Sequence, residues 1–209
     1  MTKMYLLFEG WRKYLNEGMQ VSNLPQNVGI LVNTENSPTE ISISYAELDT
    51  GGASQSPKGE VRIGPVGQDH ADWFGACLDA WVVTSAHADP GWGALLYDVA
   101  IEWASMRGSG VGLAPDRSVV SDEAYEVWDD YMQNRDDMEM LQLDDTDNSL
   151  TPDENDNCAQ NAAVSSAGNK GVEWQQTPLS KVYTKKNPTM IKSLQAAGKL
   201  VLSETDDEI

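Results

Sequence analysis

The chain has 209 residues, of which 40% are hydrophobic, so it can form one domain with a substantial core. Its 33 acidic residues outnumber 14 basic ones and give a net charge of −19, which disfavours direct binding to nucleic acid or to an anionic membrane surface. No apolar stretch approaches the roughly 20 residues of a membrane span. Charged residues interrupt the first apolar segment, so we also expect no secretory signal.

The first half of the chain predicts a helix followed by strands. Residues 1–17 predict an amphipathic helix that Gly18 ends. Its apolar stripe consists of Met4, Leu7, Phe8, Trp11, Tyr14 and Leu15. Residues 28–32 are almost continuously apolar, whereas 41–45 and 61–63 alternate apolar and polar residues, which is typical of strands with one buried face.

From residue 73 onward, strands are predicted to alternate with helices. Residues 78–84 are largely apolar and predict a central strand that is covered on both faces. A helix is predicted over 94–107, and most of its circumference must be buried because its few polar residues form one stripe. These polar residues are Asp98, Glu102 and Ser105.

A short strand over 112–114 then leads to a second predicted helix. Ser121 is its N-cap, and Asp122 and Glu123 complement the positive end of the helix dipole. The predicted inward-facing stripe of this helix consists of Ala124, Val127, Trp128, Tyr131 and Met132. Beyond Arg135 the pattern weakens, apart from a short helix over 189–198.

We therefore predict an α/β (α+β) fold with a mixed, largely antiparallel sheet flanked by helices. The expected organisation is an N-terminal helix over 1–17, a main domain over 18–140 and an acidic, loop-rich C-terminal extension over 141–209. Cys77 and Cys158 are too few for a disulfide framework and belong to no CxxC motif, so we expect both to be reduced. No metal site is predicted, because the two histidines lack ligand spacing.

One segment has the composition of an anion-binding turn. A buried strand, a glycine-punctuated turn and a helix bring unpaired amide groups and the helix dipole to one point, where a phosphate can bind. The turn consists of Gly91, Trp92 and Gly93, and the helix follows at Ala94. The alternative interpretation is that the glycines serve only the packing of the strand against the helix.

Two motifs in this region resemble the acyl-CoA-binding half of GNAT-type N-acyltransferases. The family loop reads Gln/Arg-x-x-Gly-x-Gly/Ala, and residues 88–93 (ADPGWG) match both glycines but lack the leading Gln or Arg. A second family motif reads Asn-x-x-Ala-x-x-x-Tyr, and here it is SDEAYEVW. Ser121 thus replaces the Asn, and Trp128 replaces the Tyr that protonates the leaving thiolate in the family.

The resemblance implies acetyl-CoA as a co-substrate and a small-molecule or protein amine as the acceptor. The turn and Ala94 would bind the pyrophosphate, and the strand edge at Val82, Val83 and Thr84 would pair with the pantetheine arm. Because an indole is no general acid at neutral pH, the role of acid would fall to Tyr125 or Tyr131. Candidate bases are Asp79, Glu60 and Asp116, and nothing in the sequence ranks them.

The acceptor side of the predicted site departs from the family. GNAT proteins carry two helices after their first strand, and residues 33–40 are too few to hold them. The acceptor side must therefore be reduced or rebuilt, and the sequence does not identify the acceptor.

The N-terminal segment resembles the head-targeting peptides of internal proteins of contractile-tailed phages. There, a protease cuts after Glu in a Leu/Ile-x-Glu pattern, which Leu15-Asn16-Glu17 fits. The alternative is that residues 1–17 form an ordinary helix packed on the sheet.

The sequence leads us to expect one of two functions. One is a phage-encoded acyl-CoA-dependent N-acyltransferase, and the other is a non-catalytic GNAT-fold protein of the virion with capsid proteins as partners. For both functions we expect the protein in the host cytoplasm or in the virion. A homodimer is compatible with both.

Overall fold

A computed structural model describes residues 20–35, 40–49, 52–66, 74–107, 110–145, 150–159, 173–185 and 187–203. The predicted helix over 1–17 and its cleavage pattern lie outside these described residues. None of the described helices is long and apolar enough to span a lipid bilayer.

The first four strands form an antiparallel meander. They are β1 (Val28–Asn33), β2 (Ile41–Asp49), β3 (Gly52–Pro65) and β4 (Trp81–Ala88). The strands predicted from the alternating patterns are confirmed, and β3 is longer than its pattern indicated. Alternate side chains of β2 enter the core, as its period of two requires.

Two long helices flank the short strand that follows β4. They are α1 (Gly93–Met106) and α2 (Asp122–Asn134), and the strand between them is β5 (Leu113–Ala114). This order agrees with the prediction. The Ser121 hydroxyl accepts a hydrogen bond from the Ala124 amide at 3.2 Å, so the predicted N-cap is confirmed.

The C-terminal residues complete the same sheet. They form β6 (Glu139–Gln142), β7 (Lys181–Thr184), α3 (Thr189–Ala196) and β8 (Leu200–Ser203). The order of the eight described strands is β6-β7-β5-β4-β3-β2-β1-β8, with β4 parallel to β5, β1 parallel to β8 and the other neighbours antiparallel. The predicted fold class, a mixed and largely antiparallel sheet with flanking helices, is therefore confirmed.

The strands β7 and β8 belong to the same sheet as the strands before residue 140. β7 lies between β5 and β6, and β8 extends the opposite edge of the sheet. Gly112 permits the close approach of β7, because an added Cβ there would lie 2.3 Å from the carbonyl oxygen of Tyr183. A four-residue strand is too short to show a period, which is why the sequence did not reveal it.

The polar stripe of α1 faces other segments of the chain instead of solvent: Asp98 pairs with Arg135, and Glu102 and Ser105 contact the C-terminal residues. Glu102 is completely buried, and its carboxylate accepts hydrogen bonds from the amides of Met190 and Ile191, both at 2.8 Å. It thereby caps the first turn of α3. The buried ammonium of Lys185 lies 2.9 Å from the same carboxylate. This ion pair attaches the end of β7 to α1.

The two cysteines form a disulfide bond, contrary to the expectation that both are reduced. Cys77 lies in a turn before β4 and Cys158 lies 81 residues further along the chain, yet their Cα atoms are 4.5 Å apart. Both residues are fully buried. Counting cysteines and inspecting their local motifs cannot detect a pairing that the fold alone creates.

Candidate ligand-binding cleft

A cleft opens in the sheet where β4 and β5 separate. These parallel strands pair only between Trp81 and Leu113 and between Val82 and Ala114, whereas β4 continues to Ala88. The cleft has a volume of about 300 Å³. Its lining comes from β4, α1, the loop after β5 and α2: Val83, Thr84, Ser85, Ala86, Tyr97, Asp116, Val119, Val120, Ser121, Ala124 and Trp128.

The local sequence explains why β5 stops so early. Pro115 follows directly and has no amide hydrogen to contribute to a ladder. The Asp116 carboxylate then accepts hydrogen bonds from the amides of Ser118 at 2.7 Å and Val119 at 3.2 Å, which turns the chain. Next to it, the buried Arg117 guanidinium donates to the carbonyl of Leu179 at 2.7 Å. The loop is therefore fixed away from the outer part of β4.

A β-bulge lies on the β4 side of the cleft. Arg62 of β3 pairs with Ser85, and the next residue, Ile63, pairs with Val83, so Thr84 has no opposite residue. Bulges disrupt the ladder locally and redirect backbone groups, and they are common beside active sites. From Thr84 onward the β4 residues are exposed, which corrects the expectation of a strand covered on both faces.

The floor of the cleft is aromatic. Tyr97 of α1 and Trp128 of α2 meet edge to face, with ring centroids 5.2 Å apart. Trp128 is only 1% exposed and also packs against Tyr183 of β7, at 4.9 Å between centroids. An apolar floor with a polar rim of hydroxyls and one carboxylate is the usual character of a small-molecule site.

Two ionisable groups of the cleft have shifted pKa values. Burial raises the pKa of Tyr97 far above its usual value, and the nearby Asp116 carboxylate adds to this shift. Burial also raises the pKa of Asp116, against the opposing effect of its hydrogen bonds from Ser118 and Val119. The Tyr97 phenol therefore keeps its proton at neutral pH and can serve as a donor to a ligand in the cleft.

The glycine turn lies between the end of β4 and the start of α1. Gly91 has a φ of +83°, which favours glycine. Gly93 is different, because an added Cβ would lie 3.7 Å from the Ala88 Cβ, an ordinary contact. Packing therefore does not require glycine at position 93, whereas close approach of a ligand to the backbone would. The N-cap residue Trp92 makes no side-chain hydrogen bond to the first turn of α1.

Side chains from β2 and β3 surround this turn. The Tyr45 hydroxyl donates to the carbonyl of Trp92 at 2.7 Å, and the two rings meet edge to face at 4.7 Å. The Lys58 ammonium lies 3.1 Å from the Asp89 carboxylate and 5.5 Å from the centroid of the Trp92 ring. The turn is thus held on one side by a buried tyrosine and carries a lysine beside it.

The structure separates the residues that the sequence predicted for cofactor binding into two groups. Val83 and Thr84 line the cleft, whereas Val82 is paired with Ala114 at its inner end. Gly91, Trp92, Gly93 and Ala94 lie at the start of α1, beyond the outer end of β4.

The predicted catalytic residues do not line the cleft. Tyr131 is 1% exposed, and its hydroxyl donates to the carbonyl of Ala94 at 3.0 Å, so it belongs to the core. Tyr125 lies on α2 but not among the lining residues. Asp79 precedes β4 at the end opposite to the cleft. Of the three candidate bases only Asp116 lies in the cleft, and Tyr97 was not predicted, because a helix buried all round shows no sign of which tyrosine faces a cavity.

A charged group at the rim was also missed. The Thr84 hydroxyl lies 3.5 Å from the Glu40 carboxylate, which lies 3.6 Å from the Arg62 guanidinium. Arg62 also donates to the buried Glu60 at 3.0 Å. Only the Glu60-x-Arg62 alternation in β3 could have indicated that two of these side chains share a face.

Comparison with known proteins gives no relative. The chain matches no family model, and neither a curated protein nor a solved structure matches it.

Proposed function

We propose that the protein is a GNAT-type N-acyltransferase that transfers an acetyl group from acetyl-CoA to an amine. The observation that carries this proposal is that β4 continues past the end of β5, has a bulge at Thr84 and leads to a helix start without a side-chain cap. The order strand, glycine turn, helix, short strand, helix is the one that the sequence motifs led us to expect. The chain therefore has a strand edge and a helix N-terminus at which an acyl-CoA would bind.

The outer part of β4 suits the pantetheine arm. This arm is extended and contains two amide groups, which can pair with a strand edge that β5 leaves free. Residues 83–88 extend over roughly 17 Å at about 3.3 Å per residue, from the bulge to the glycine turn. The thioester would lie at Thr84 and the pyrophosphate at the amides of Gly93 and Ala94. Lys58, which is paired with Asp89, lies 5.5 Å from the Trp92 ring of the same turn.

In the proposed reaction, the amine nitrogen attacks the thioester carbonyl. The amine attacks in its neutral form, after its ammonium has lost a proton to water. The C–N bond forms and the C–S bond breaks, the nitrogen gives up a further proton to water, and the leaving thiolate of CoA takes up a proton from water. A backbone amide redirected by the bulge at Thr84 would stabilise the developing oxyanion. The Tyr97 phenol is the hydroxyl group on the aromatic floor. Because its raised pKa makes it a weak acid, we assign to it a hydrogen bond that stabilises the leaving thiolate.

The rim group Glu40, Arg62 and Glu60 is our candidate for the acceptor side. It borders Thr84, where the acyl carbon would lie, and its two carboxylates share one guanidinium. The Glu40 carboxylate is the more weakly held of the two and can bind the ammonium form of an incoming amine. This assignment replaces Asp79, which lies at the wrong end of β4.

Calorimetric titration of the purified protein with acetyl-CoA and with free CoA tests the proposal. We expect wild type to bind both, and Gly93→Val to lose binding with an unchanged circular dichroism spectrum, because the valine side chain would cover the amides of the turn. Gly93→Ala is the matched control for packing, since its Cβ meets only the Ala88 methyl at 3.7 Å. If wild type does not bind acetyl-CoA even at millimolar concentration, the proposed enzymatic function is refuted.

A second candidate is a non-catalytic protein of the same fold that belongs to a phage virion. It is favoured by Trp128, which occupies the position of the family's tyrosine and is buried. It is also favoured by the composition of the cleft, whose described lining residues include no lysine or arginine. This candidate predicts CoA binding that is weak or absent and no amine acetylation with any acceptor.

A further inference from the structure

The turn before β4 has an unusual backbone. Cys77, Leu78 and Asp79 have φ angles of +48°, +56° and +62°, and none of them is a glycine. A run of left-handed residues with side chains is unfavourable by itself and persists only where the surroundings impose it. The turn therefore depends on contacts made elsewhere in the molecule.

Residues 157–159 contact this turn and Phe74, which precedes it. The Cys77 amide donates to the carbonyl of Asn157 at 2.9 Å, and the Ala159 amide donates to the carbonyl of Phe74 at 2.6 Å. The disulfide bond between Cys77 and Cys158 joins the same two segments covalently. The left-handed turn and the segment after residue 156 thus hold each other in place.

This junction is connected to the cleft along two routes. Trp81, the first residue of β4, follows the turn after one residue, and its amide donates to the carbonyl of Gly112 at 3.0 Å. The guanidinium of Arg117 lies 3.6 Å from the sulfur of Cys158, and its neighbour Asp116 lines the cleft. A change at the disulfide therefore reaches both strands whose divergence forms the cleft.

We propose that the Cys77–Cys158 disulfide is a redox clamp that fixes the position of β4 relative to β5. Reduction by two thiols breaks the S–S bond, converts both cysteines to thiols and oxidises the reductant to its own disulfide. The turn is then free to return to negative φ, and the start of β4 and the loop after β5 loosen together. Disulfides are rare in reducing compartments, so the Cys77–Cys158 bond forms where the protein is in an oxidising environment.

Because both sulfurs are fully buried, exchange requires local opening of residues 157–159. The test therefore compares protein folded without reductant with protein folded and kept in a phosphine reductant, with alkylation and intact mass to count thiols. Hydrogen–deuterium exchange is then followed without ligand. We expect about tenfold faster exchange at 81–88 and 113–120 in the reduced protein, with β1 and β2 unchanged.

Leu78→Gly is the matched variant, since glycine adopts positive φ without cost. Its exchange at β4 should respond several-fold less to reduction than that of wild type. A Cys77→Ala/Cys158→Ala variant should reproduce the reduced wild type, and if that variant does not fold, reduced wild type still gives the comparison. Two free thiols in protein folded without reductant, or equal exchange in both redox states, would overturn the clamp. Neither outcome depends on whether the protein binds acetyl-CoA.

Discussion

The two sides of the sheet are built in different ways. On one side, β1 to β4 follow each other in the chain and pair with their neighbours in antiparallel register, and only the edge strand β8 of the described residues joins them from a distant part of the chain. On the other side, β7 is inserted between β5 and β6, so strands that are far apart in sequence become neighbours. The side built from distant segments is also the side that carries the disulfide bond, the buried Arg117 and the Lys185–Glu102 ion pair.

This difference shows where the cleft comes from. The cleft lies at the boundary between the two sides, because the last strand of the meander is longer than the short strand that meets it. The local side supplies a long strand edge, and the distant side supplies the floor through α2. Substitutions that weaken only the distant side should therefore open the cleft and leave the meander intact.

The largest loss of stability is expected for Trp128→Ala. Trp128 is 1% exposed and joins α2 to Tyr183 of β7, so its removal should lower the free energy of unfolding by about 3–5 kcal/mol. Chemical denaturation measures this, and hydrogen exchange should rise first in β5 to β7. Trp128→Phe keeps much of the contact and should cost clearly less. An alanine variant of unchanged stability but altered CoA affinity would mean that Trp128 faces the ligand and not the core.

Lys185→Met should destabilise the same side somewhat less. It leaves the Glu102 carboxylate buried without its cation, although the amides of Met190 and Ile191 still hydrogen-bond to it. We expect a loss of about 3 kcal/mol, the lower end for breaking a buried pair. The exposed Lys192→Met is the control and should change little. Equal stability of the two variants would show that the ion pair does not attach β7 to α1.

Tyr97→Phe tests the cleft without disturbing its packing. If the phenol stabilises the leaving thiolate by a hydrogen bond, kcat should fall roughly 100-fold while the KM for acetyl-CoA and the melting temperature stay near their wild-type values. Tyr125→Phe is the matched control, because Tyr125 does not line the cleft. A larger effect at Tyr125 than at Tyr97 would return the role of acid to the residue that the sequence suggested.

The smallest effect is expected for Glu40→Gln. Loss of one rim charge should raise the KM for the amine acceptor by about fivefold, as expected for a partly exposed ion pair worth about 1 kcal/mol. The KM for acetyl-CoA should not change, because the proposal assigns Glu40, next to Thr84, to the acceptor side. Steady-state kinetics with each substrate varied in turn separates the two effects. An effect on acetyl-CoA alone would place Glu40 on the cofactor side.

The sequence predicted the structural features that depend on residues close together in the chain. The alternation in β2, the apolar circumference of α1 and the Ser121 cap are all local, and the structure confirms them. The glycine turn was also recognisable, since its residues are consecutive.

The features that the sequence did not predict depend on the packing of distant segments. The short strands β6, β7 and β8 form because they pair with strands elsewhere in the chain. The disulfide and the Lys185–Glu102 ion pair likewise join segments that are distant in sequence. In the cleft, Val83 and Thr84 followed from the strand assignment. Tyr97 and Glu40 did not, because each reaches the site from an element whose packing the sequence leaves open.

The insertion of β7 also governs the order in which the molecule can be completed during synthesis. The emerging chain presents β5 and β6 well before β7. While the intervening residues are still being added, β5 has only its neighbour β4, and β6 lacks its described neighbour. Pairing across such separations is slow and leaves strand edges open to other chains. The meander can form early, whereas the floor of the cleft must wait for Tyr183. A nascent chain stalled before residue 181 should therefore be the form of this protein most prone to aggregate.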